Sequence, residues 1–480
     1  MIKDLDPKKL WGFFYDLTQI PRPSGKEEAV IQYIIDFATG ENLDVLKDNT
    51  GNVVVKKEAA PGCESKPIVV MQSHVDMVPQ KNSDKEHDFE KDPIEALIDG
   101  DWVKANGTTL GADNGIGVAA MLALLDSDNI AHGTVECLFT IDEETGMTGA
   151  FGLNENVLSG NMLLNLDTER DKEIIIGCAG GENLSAYFSY TEEDISKDGL
   201  PYMVAVKGLK GGHSGIDIHL GRGNAIKILV RFLAQSAQKF GIRVASINGG
   251  NMRNAIPREA SAEVIIPAKI DKAFHAYVKE YEKLILTETS LTEPDFKFDI
   301  YPANLPCKVL PVDKQNNILS IIQGLPNGVI NMEKSFSDVV ETSTNLSVVE
   351  TGLGKISVHC LLRSSIDSVR DHLANRMQSL LALAGANVER DGAYPGWKPI
   401  PDSNILKHVV SVYEKMNGAK PEVIIVHAGL ECGIIGSKYP NMEMVSFGPT
   451  INHPHSPDEK VNIPSVKKFW EYLVEVLETI

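Results

Sequence analysis

Two kinds of apolar pattern alternate along the chain. Near the N-terminus Val30, Ile31, Ile34 and Ile35 recur at helical spacing, and Ser24 with Glu27 has the spacing of a capping box, so a helix is expected there. Short apolar runs follow at 67–71 (PIVVM), 135–141 (VECLFTI) and 162–166 (MLLNL), each short enough to be a buried strand. Residues 117–125 (GVAAMLALL) read as a buried helix between the first two. A further strand at 442–447 and a closing helix at 466–477 complete the series. Buried strands alternating with helices predict an α/β layer with a mostly parallel central sheet.

The middle of the chain, 187–394, has another texture. Strand patterns that alternate residue by residue (MVAVKGL, AEVIIPA, GKISVHCLLRSS) are mixed with amphipathic helices at 225–238 and 366–383. That mixture suits an α+β domain with helices on one face of an antiparallel sheet. Its length, about 200 residues, suffices for a doubled four-strand, two-helix unit, although no internal repeat is visible. Loop-like stretches at 191–199 and 392–401 mark the crossings. The expected division is therefore 1–186 with 395–480 as one domain, and 187–394 inserted into it.

Composition narrows the class. At ~100–200 residues per domain, 480 residues make two to four domains. The balance of 46 Lys plus Arg against 66 Asp plus Glu gives a formal net charge of −20. With no basic patch to offset it, neither nucleic acid nor an anionic membrane is an expected partner. Apolar runs such as 118–125 fall well short of the ~20 residues a bilayer requires. The opening MIKDLDPKKLWGFF has no signal-peptide pattern, so a cytoplasmic location is expected. Six cysteines (Cys63, Cys137, Cys178, Cys307, Cys360, Cys432) show no paired spacing, which indicates neither a disulfide framework nor a cysteine zinc site.

Acidic residues and histidines gather where the predicted strands end. His74 and Asp76 lie two apart, on one face, after the first run; Asp142, Glu143 and Glu144 follow the second; Asp167 follows the third. Asp113 sits in GADNGIG before the buried helix, and His453 and His455 follow the last strand. Open α/β sheets form their sites outside the carboxyl ends of strands. Imidazoles and carboxylates without cysteine suit zinc, cobalt or manganese. There are more carboxylates than one tetrahedral ion uses, so an aspartate bridging two ions, with one glutamate free as base, would employ them. Gly115-x-Gly117-x-x-Ala120 resembles a dinucleotide fingerprint, but no strand precedes it. Cys178 and Cys432 lack the basic neighbours of a nucleophile. A non-catalytic metal-binding protein is the rival from outside enzymology, and the spare glutamate argues against it. His87, His132, His275, His359, His372 and His408 read as structural or surface residues.

Several segments carry a resemblance: PRPSGKEE, SHVDMV, LGADNGIGVA, DEETGMTGA, NLDTE, KGLKGGHSGIDIHLGRGNA, NAIPREA, HAGLECG and HSPDE. From end to end the chain resembles the co-catalytic di-zinc amidohydrolase family of aminoacylases, carnosinases and bacterial di- and tripeptidases, and within it the Xaa-His dipeptidase branch. The resemblance implies a zinc-peptidase-like catalytic domain with an inserted lid. It implies two Zn2+ per subunit, replaceable by Co2+ or Mn2+. One would be held by His74 and Asp167, the other by Glu144 and His455, with Asp113 bridging; His453 competes with His455. Asp76 would orient His74, and Glu143 would be the general base on a metal-bridging water. From the lid, His213 would stabilise the oxyanion. Asn254 would lie near it, and Arg363 would pair with the substrate carboxylate. Glu431 would sense the substrate's amino group. The implied reaction is hydrolysis of unblocked dipeptides, preferably with C-terminal histidine and including β-alanyl-histidine. The alternative is an N-acyl-amino-acid amidohydrolase or a tripeptidase. A double-length lid can mimic a dimer within one chain, yet some relatives pair through lid surfaces, so a homodimer stays open.

Overall fold

The computed structural model describes residues 1–480 except 196–198, 307, 335 and 337. Cys307 and the centre of the 191–199 crossing therefore lie outside the described residues. The chain divides into two compact units. The first comprises Met1–Cys178, Trp397–Ile425 and Leu430–Ile480; the second comprises Ala179–Gly396 and Val426–Gly429. Residues 179–186, 395–396 and 426–429, grouped with the first unit in the sequence reading, join the second. The reason is the strand Gly180–Ser189, which pairs over its whole length with Lys355–Ser364.

An eight-stranded sheet organises the first unit. Its four central strands, Val135–Thr140, Val69–His74, Met162–Asn165 and Glu443–Ser446, are neighbours in that order and run parallel. Their registers align His74 with Thr140 and Asn165 with Ser446, so the carboxyl ends finish at one edge. All six residues of the first two strands are buried, as expected of strands covered on both faces. The helix Ala112–Leu125 is buried at every position, which is why its sequence shows an apolar run and no stripe. Trp11 and Phe14 of the helix Lys8–Thr18 join this core. Helix Ile463–Thr479 closes the unit and starts at Asn462, whose side chain accepts from the Ser465 amide.

The capping box at Ser24 and Glu27 does not form. The helix there is Glu28–Gly40, and no side chain caps it. Ser24 Oγ instead donates to Asp76 Oδ2 (2.7 Å), and Glu27 Oε1 accepts from the amides of Gly25 and Asp142. Tertiary partners took both groups of the predicted cap.

The second unit is built on a nine-stranded sheet in which every register is antiparallel. Eight of its strands form two halves with the same plan, and the ninth, Gly328–Met332, pairs with Val340–Gly352. In one, strand Gly199–Lys207, helix Ala225–Phe240, strands Arg243–Gly249 and Ala260–Pro267, helix Asp271–Thr289 and strand Lys297–Pro302 follow in order. In the other the sequence is strand Gly180–Ser189, helix Val312–Gly324, strands Val340–Gly352 and Lys355–Ser364, helix Asp367–Leu383 and strand Asn387–Tyr394. Each is a strand–helix–strand–strand–helix–strand unit with the spatial order fourth, first, third, second. The two second strands meet in the middle, at Gly249 and Val349. There Thr351 Oγ1 accepts from the Ile247 amide (2.8 Å) and donates to the Ile247 carbonyl (2.9 Å). Phe232 anchors the core of the first half, stacked on Tyr277 and packed against Phe274, Tyr281 and Phe298. Among the described residues no helix is long and apolar enough to cross a membrane.

Candidate metal centre

At the carboxyl edge of the parallel strands, five side chains converge in two overlapping groups. His74, Asp113 and Asp167 place one donor atom each within 4.8 Å of one another, and Asp113, Glu144 and His455 do the same. Asp113 belongs to both groups and divides its oxygens between them. Its Oδ1 lies 3.2 Å from His74 Nε2, and its Oδ2 lies 3.2 Å from His455 Nε2. His74 Nε2 is also 3.4 Å from Asp167 Oδ1, and His455 Nε2 is 3.0 Å from Glu144 Oε1. A third group joins Glu143 to His74 and Glu144. Of the two histidines in the last loop, His455 enters the cluster and His453 does not. Asp142 also stays outside, accepting from the hydroxyls of Thr145 and Thr148.

The backbone explains how separate segments aim at one point. Asp113 starts the buried helix with extended dihedrals (φ −82°, ψ 110°), a departure that turns its carboxylate out of the helix. Asp76 follows the His74 strand and is fully buried. Its Oδ1 lies 3.3 Å from His74 Nδ1 and accepts from the Glu143 amide (3.1 Å), while Oδ2 accepts from the Glu144 amide (3.2 Å). One carboxylate thus orients an imidazole and fixes the backbone of both glutamates. Asn114 does similar work for Asp167, donating to its Oδ1 (2.6 Å) and to the Leu166 carbonyl (2.8 Å). Asn114, whose only sequence signal was its place beside Asp113, was missed.

The electrostatics show what the cluster lacks. Burial raises Asp167 to about 6, with Asp113 and Glu144 adding repulsion against His74. Burial likewise raises Glu143 well above the carboxylate range. Glu169, two residues past Asp167, is pushed up to about 8 by burial and by Asp113 and Asp167. His455, hydrogen-bonded to Asp113 and Glu144, is raised to about 11. His74 is also raised well above its usual range, the surrounding carboxylates outweighing its burial. Asp167, Glu143 and Glu169 resist ionisation and both imidazoles hold protons, whereas Asp113, hydrogen-bonded to His455 and His74, is drawn below the usual carboxylate range; the carboxyl groups outnumber the positive charge at hand. Oxygen and imidazole donors gathered about one shared aspartate fit divalent metal.

Glu431, expected to sense the substrate's amino group, opens the helix Glu431–Lys438 of this unit and feels the charges of His74 and Asp167. It is 2 % exposed, and its Oε2 accepts from Gln72 Nε2 and Thr140 Oγ1, both at 2.6 Å. Gln72 Oε1 in turn accepts from Asn165 Nδ2 (2.6 Å), whose Oδ1 accepts from Ser446 Oγ. Glu431 is thus part of a polar layer inside the sheet, not an open surface for an ammonium group, and burial raises it to about 8.

The remaining predicted residues belong to the second unit. A two-strand ribbon pairs Gly212–His213 with Ala255–Ile256, which sets Asn254 beside His213. His213 Nδ1 accepts from the amides of Gly215 (3.2 Å) and Ile216 (3.0 Å), so a neutral ring carries its proton on Nε2. Burial, helped by Arg363, lowers the pKa of His213 and keeps it neutral. Arg363 is 5 % exposed, donates to the Tyr394 hydroxyl (3.0 Å), and has no carboxylate partner among the described residues. An arginine buried without an acidic neighbour is a ready receptor for an anion.

Comparison with known proteins agrees with this chemistry. Residues 70–479 match the family described as peptidase family M20/M25/M40. The chain is 43 % identical over 479 residues to the cytosol non-specific dipeptidase of Escherichia coli, covering 100 % of this chain and 99 % of that one. It matches the crystal structure of aminoacylhistidine dipeptidase from Vibrio alginolyticus with 49 % identity and a TM-score of 0.95, over 100 % of this chain and 98 % of the other. Aminopeptidase PepT from Bacillus cereus shares the fold, with a TM-score of 0.58 and 16 % identity over 99 % and 98 % of the two chains. The chain belongs to the M20/M25/M40 family of peptidases.

Proposed function

We propose that this protein hydrolyses unblocked dipeptides in the cytoplasm, with a preference for C-terminal histidine, using two zinc ions that cobalt or manganese can replace. The observation that carries the reading is the division of the Asp113 oxygens between the His74–Asp167 and Glu144–His455 pairs. In it, His74 and Asp167 would hold one ion and Glu144 and His455 the other, with Asp113 serving both. Metal held there would supply the Lewis acidity that polarises the scissile carbonyl and lowers the pKa of water towards neutrality. Glu143 takes the proton from the attacking water and delivers it to the leaving amine. Its raised pKa suits a group that must both accept and release a proton. Asp76 holds Glu143 through its amide, keeping the base in register with His74.

His213 donates from Nε2 to the oxyanion as it develops. Arg363 receives the terminal carboxylate, and Asn254 lines the same region of the substrate. The names of the relatives supply the substrate class: one is a non-specific dipeptidase and the other an aminoacylhistidine dipeptidase. Cytoplasmic operation is supported by the cytosolic relative and by the free thiols of Cys63, Cys137, Cys360 and Cys432.

The test is release of histidine from β-alanyl-histidine by zinc-reconstituted protein, beside a chelator-stripped sample and a panel of other dipeptides. Turnover that disappears on stripping and returns with zinc is the expected result. Turnover of N-acetyl-histidine instead of free dipeptides overturns the dipeptidase reading in favour of acyl-amino-acid hydrolysis.

A further inference from the structure

Two charged residues of the first unit, Arg22 and Glu459, are fully or nearly buried and touch no proposed reactant, yet each spends its hydrogen bonds on the same turn. Glu459 is 2 % exposed and accepts four backbone amides. Its Oε2 takes Leu110 (2.7 Å) and Gly111 (3.0 Å); its Oε1 takes Ala112 (2.7 Å) and Asp113 (3.3 Å). Arg22 is 1 % exposed and grips the other side of the turn, donating from Nη2 to the Gly111 carbonyl (2.5 Å). Its Nη1 donates to the carbonyls of Val75 (2.8 Å) and Asp76 (3.2 Å), directly after His74. Gly111 has φ +69°, and a Cβ there would come within 2.6 Å of Arg22 Nη2; at Gly115 it would again come within 2.6 Å. The glycines of GADNGIG therefore leave the space the guanidinium occupies. Glu459 also lies four residues beyond His455, in the same loop.

We infer that Arg22 and Glu459 are positioning residues that lock the 110–113 turn to the His74 and His455 segments, setting where the shared carboxylate of Asp113 points. The inference rests on the reading of Asp113 as the shared metal ligand. The first-turn amides of the Ala112–Leu125 helix have no partners inside the helix, and a buried carboxylate is a strong acceptor for them. Arg22 and Glu459 attract one another across the turn, so each buried charge partly compensates the other. A cap that only stabilised the helix would leave metal affinity alone once the protein was folded.

The experiment uses the full chain as wild type, Glu459→Gln, Arg22→Met and the double variant. Three readouts apply: zinc affinity by chelator competition, amide exchange at 110–113 in metal-free protein, and the thermal midpoint of metal-free protein. Glu459→Gln is expected to weaken zinc binding by about 10- to 100-fold, as loss of an outer partner of a ligand does. It should also release the four amides to exchange. The double variant removes both buried charges and is expected to recover the thermal midpoint lost by either single variant without recovering the affinity. Wild-type affinity with slow exchange in Glu459→Gln overturns the inference, as does affinity that returns together with stability in the double variant. If Arg22→Met does not fold, Arg22→Lys takes its place and is expected to lose affinity less than Glu459→Gln. A wild type that binds no divalent ion overturns the reading of the metal centre instead, and the frame is then decided by amide exchange alone.

Discussion

The two units carry opposite electrostatic deficits. In the first, Asp113, Asp167, Glu143 and Glu144 crowd around two imidazoles, and none of the four is paired with a lysine or arginine among the described residues. In the second, Arg363 is buried with no carboxylate, and its charge depresses both His213 and His427. Burying unpaired charge is costly, so each cluster declares what it is built to receive. The first calls for cations, the second for an anion. Hydrolysis of a dipeptide has use for both, cations at the carbonyl and the water and a cationic donor for a terminal carboxylate.

The comparison breaks most completely at Asp113. Asp113→Ala should lose both ions and all measurable turnover, and a variant that still carries two ions per chain by elemental analysis would remove the shared ligand from the account. Glu143→Gln comes next, expected to keep both ions while kcat falls by about 10²- to 10⁴-fold, the usual worth of a general base; ion loss would make it a ligand instead. On the cationic side, Arg363→Ala should raise KM for free dipeptides by about 10- to 100-fold, the worth of a charge-assisted hydrogen bond. Steady-state kinetics on the matching C-terminal amides should show almost no change. An equal loss on both substrates would return Arg363 to a packing role.

The smallest effect concerns pH. His427, hydrogen-bonded to Ser343 Oγ (2.7 Å), is lowered to about 3 by burial and by Arg363. Above about 6.5 the ring is neutral whether the chain is folded or not. As pH falls below that, the unfolded chain binds a proton that the folded site refuses, so stability declines steadily until about 3. Denaturant titrations between pH 7 and 4 should show this slope, and His427→Gln should flatten it. An unchanged slope would place the acid sensitivity in another group.

How much of this was legible depended on whether a residue announces itself by type. His74, Asp113, Glu144, Asp167 and His455 stood out because imidazoles and carboxylates at the ends of apolar runs are chemically conspicuous. Their backbone supports were not: Arg22 lies in PRPSG and Glu459 in HSPDE, and nothing in either stretch says that both meet over Gly111. Ser24 and Glu27 illustrate the converse. Their spacing described a local cap correctly in the abstract, but Asp76 and the Asp142 amide offered better partners from elsewhere in the fold. The surroundings of Glu431 were hidden for a related reason, since a glutamate opening the helix Glu431–Lys438 gives no hint that Gln72 and Thr140 donate to it. The doubled plan of the second unit was invisible as a repeat because one half is nested inside the other, between Gly180–Ser189 and Val312–Gly324.

That nesting changes the thermodynamics of the central joint. Second strand against second strand is the arrangement two identical molecules would form about a two-fold axis, where the contact weakens as the protein is diluted. Here the partner is tethered, its effective concentration is fixed by the chain, and dilution cannot part the halves. The joint has one registered strand pair, reinforced by Thr351 and by Lys227 Nζ of the first half, which donates to the carbonyls of Ile322, Gln323 and Leu325 of the second. The outer strands Lys297–Pro302 and Asn387–Tyr394 remain as edges, and both carry charged side chains that discourage a stranger from adding to them.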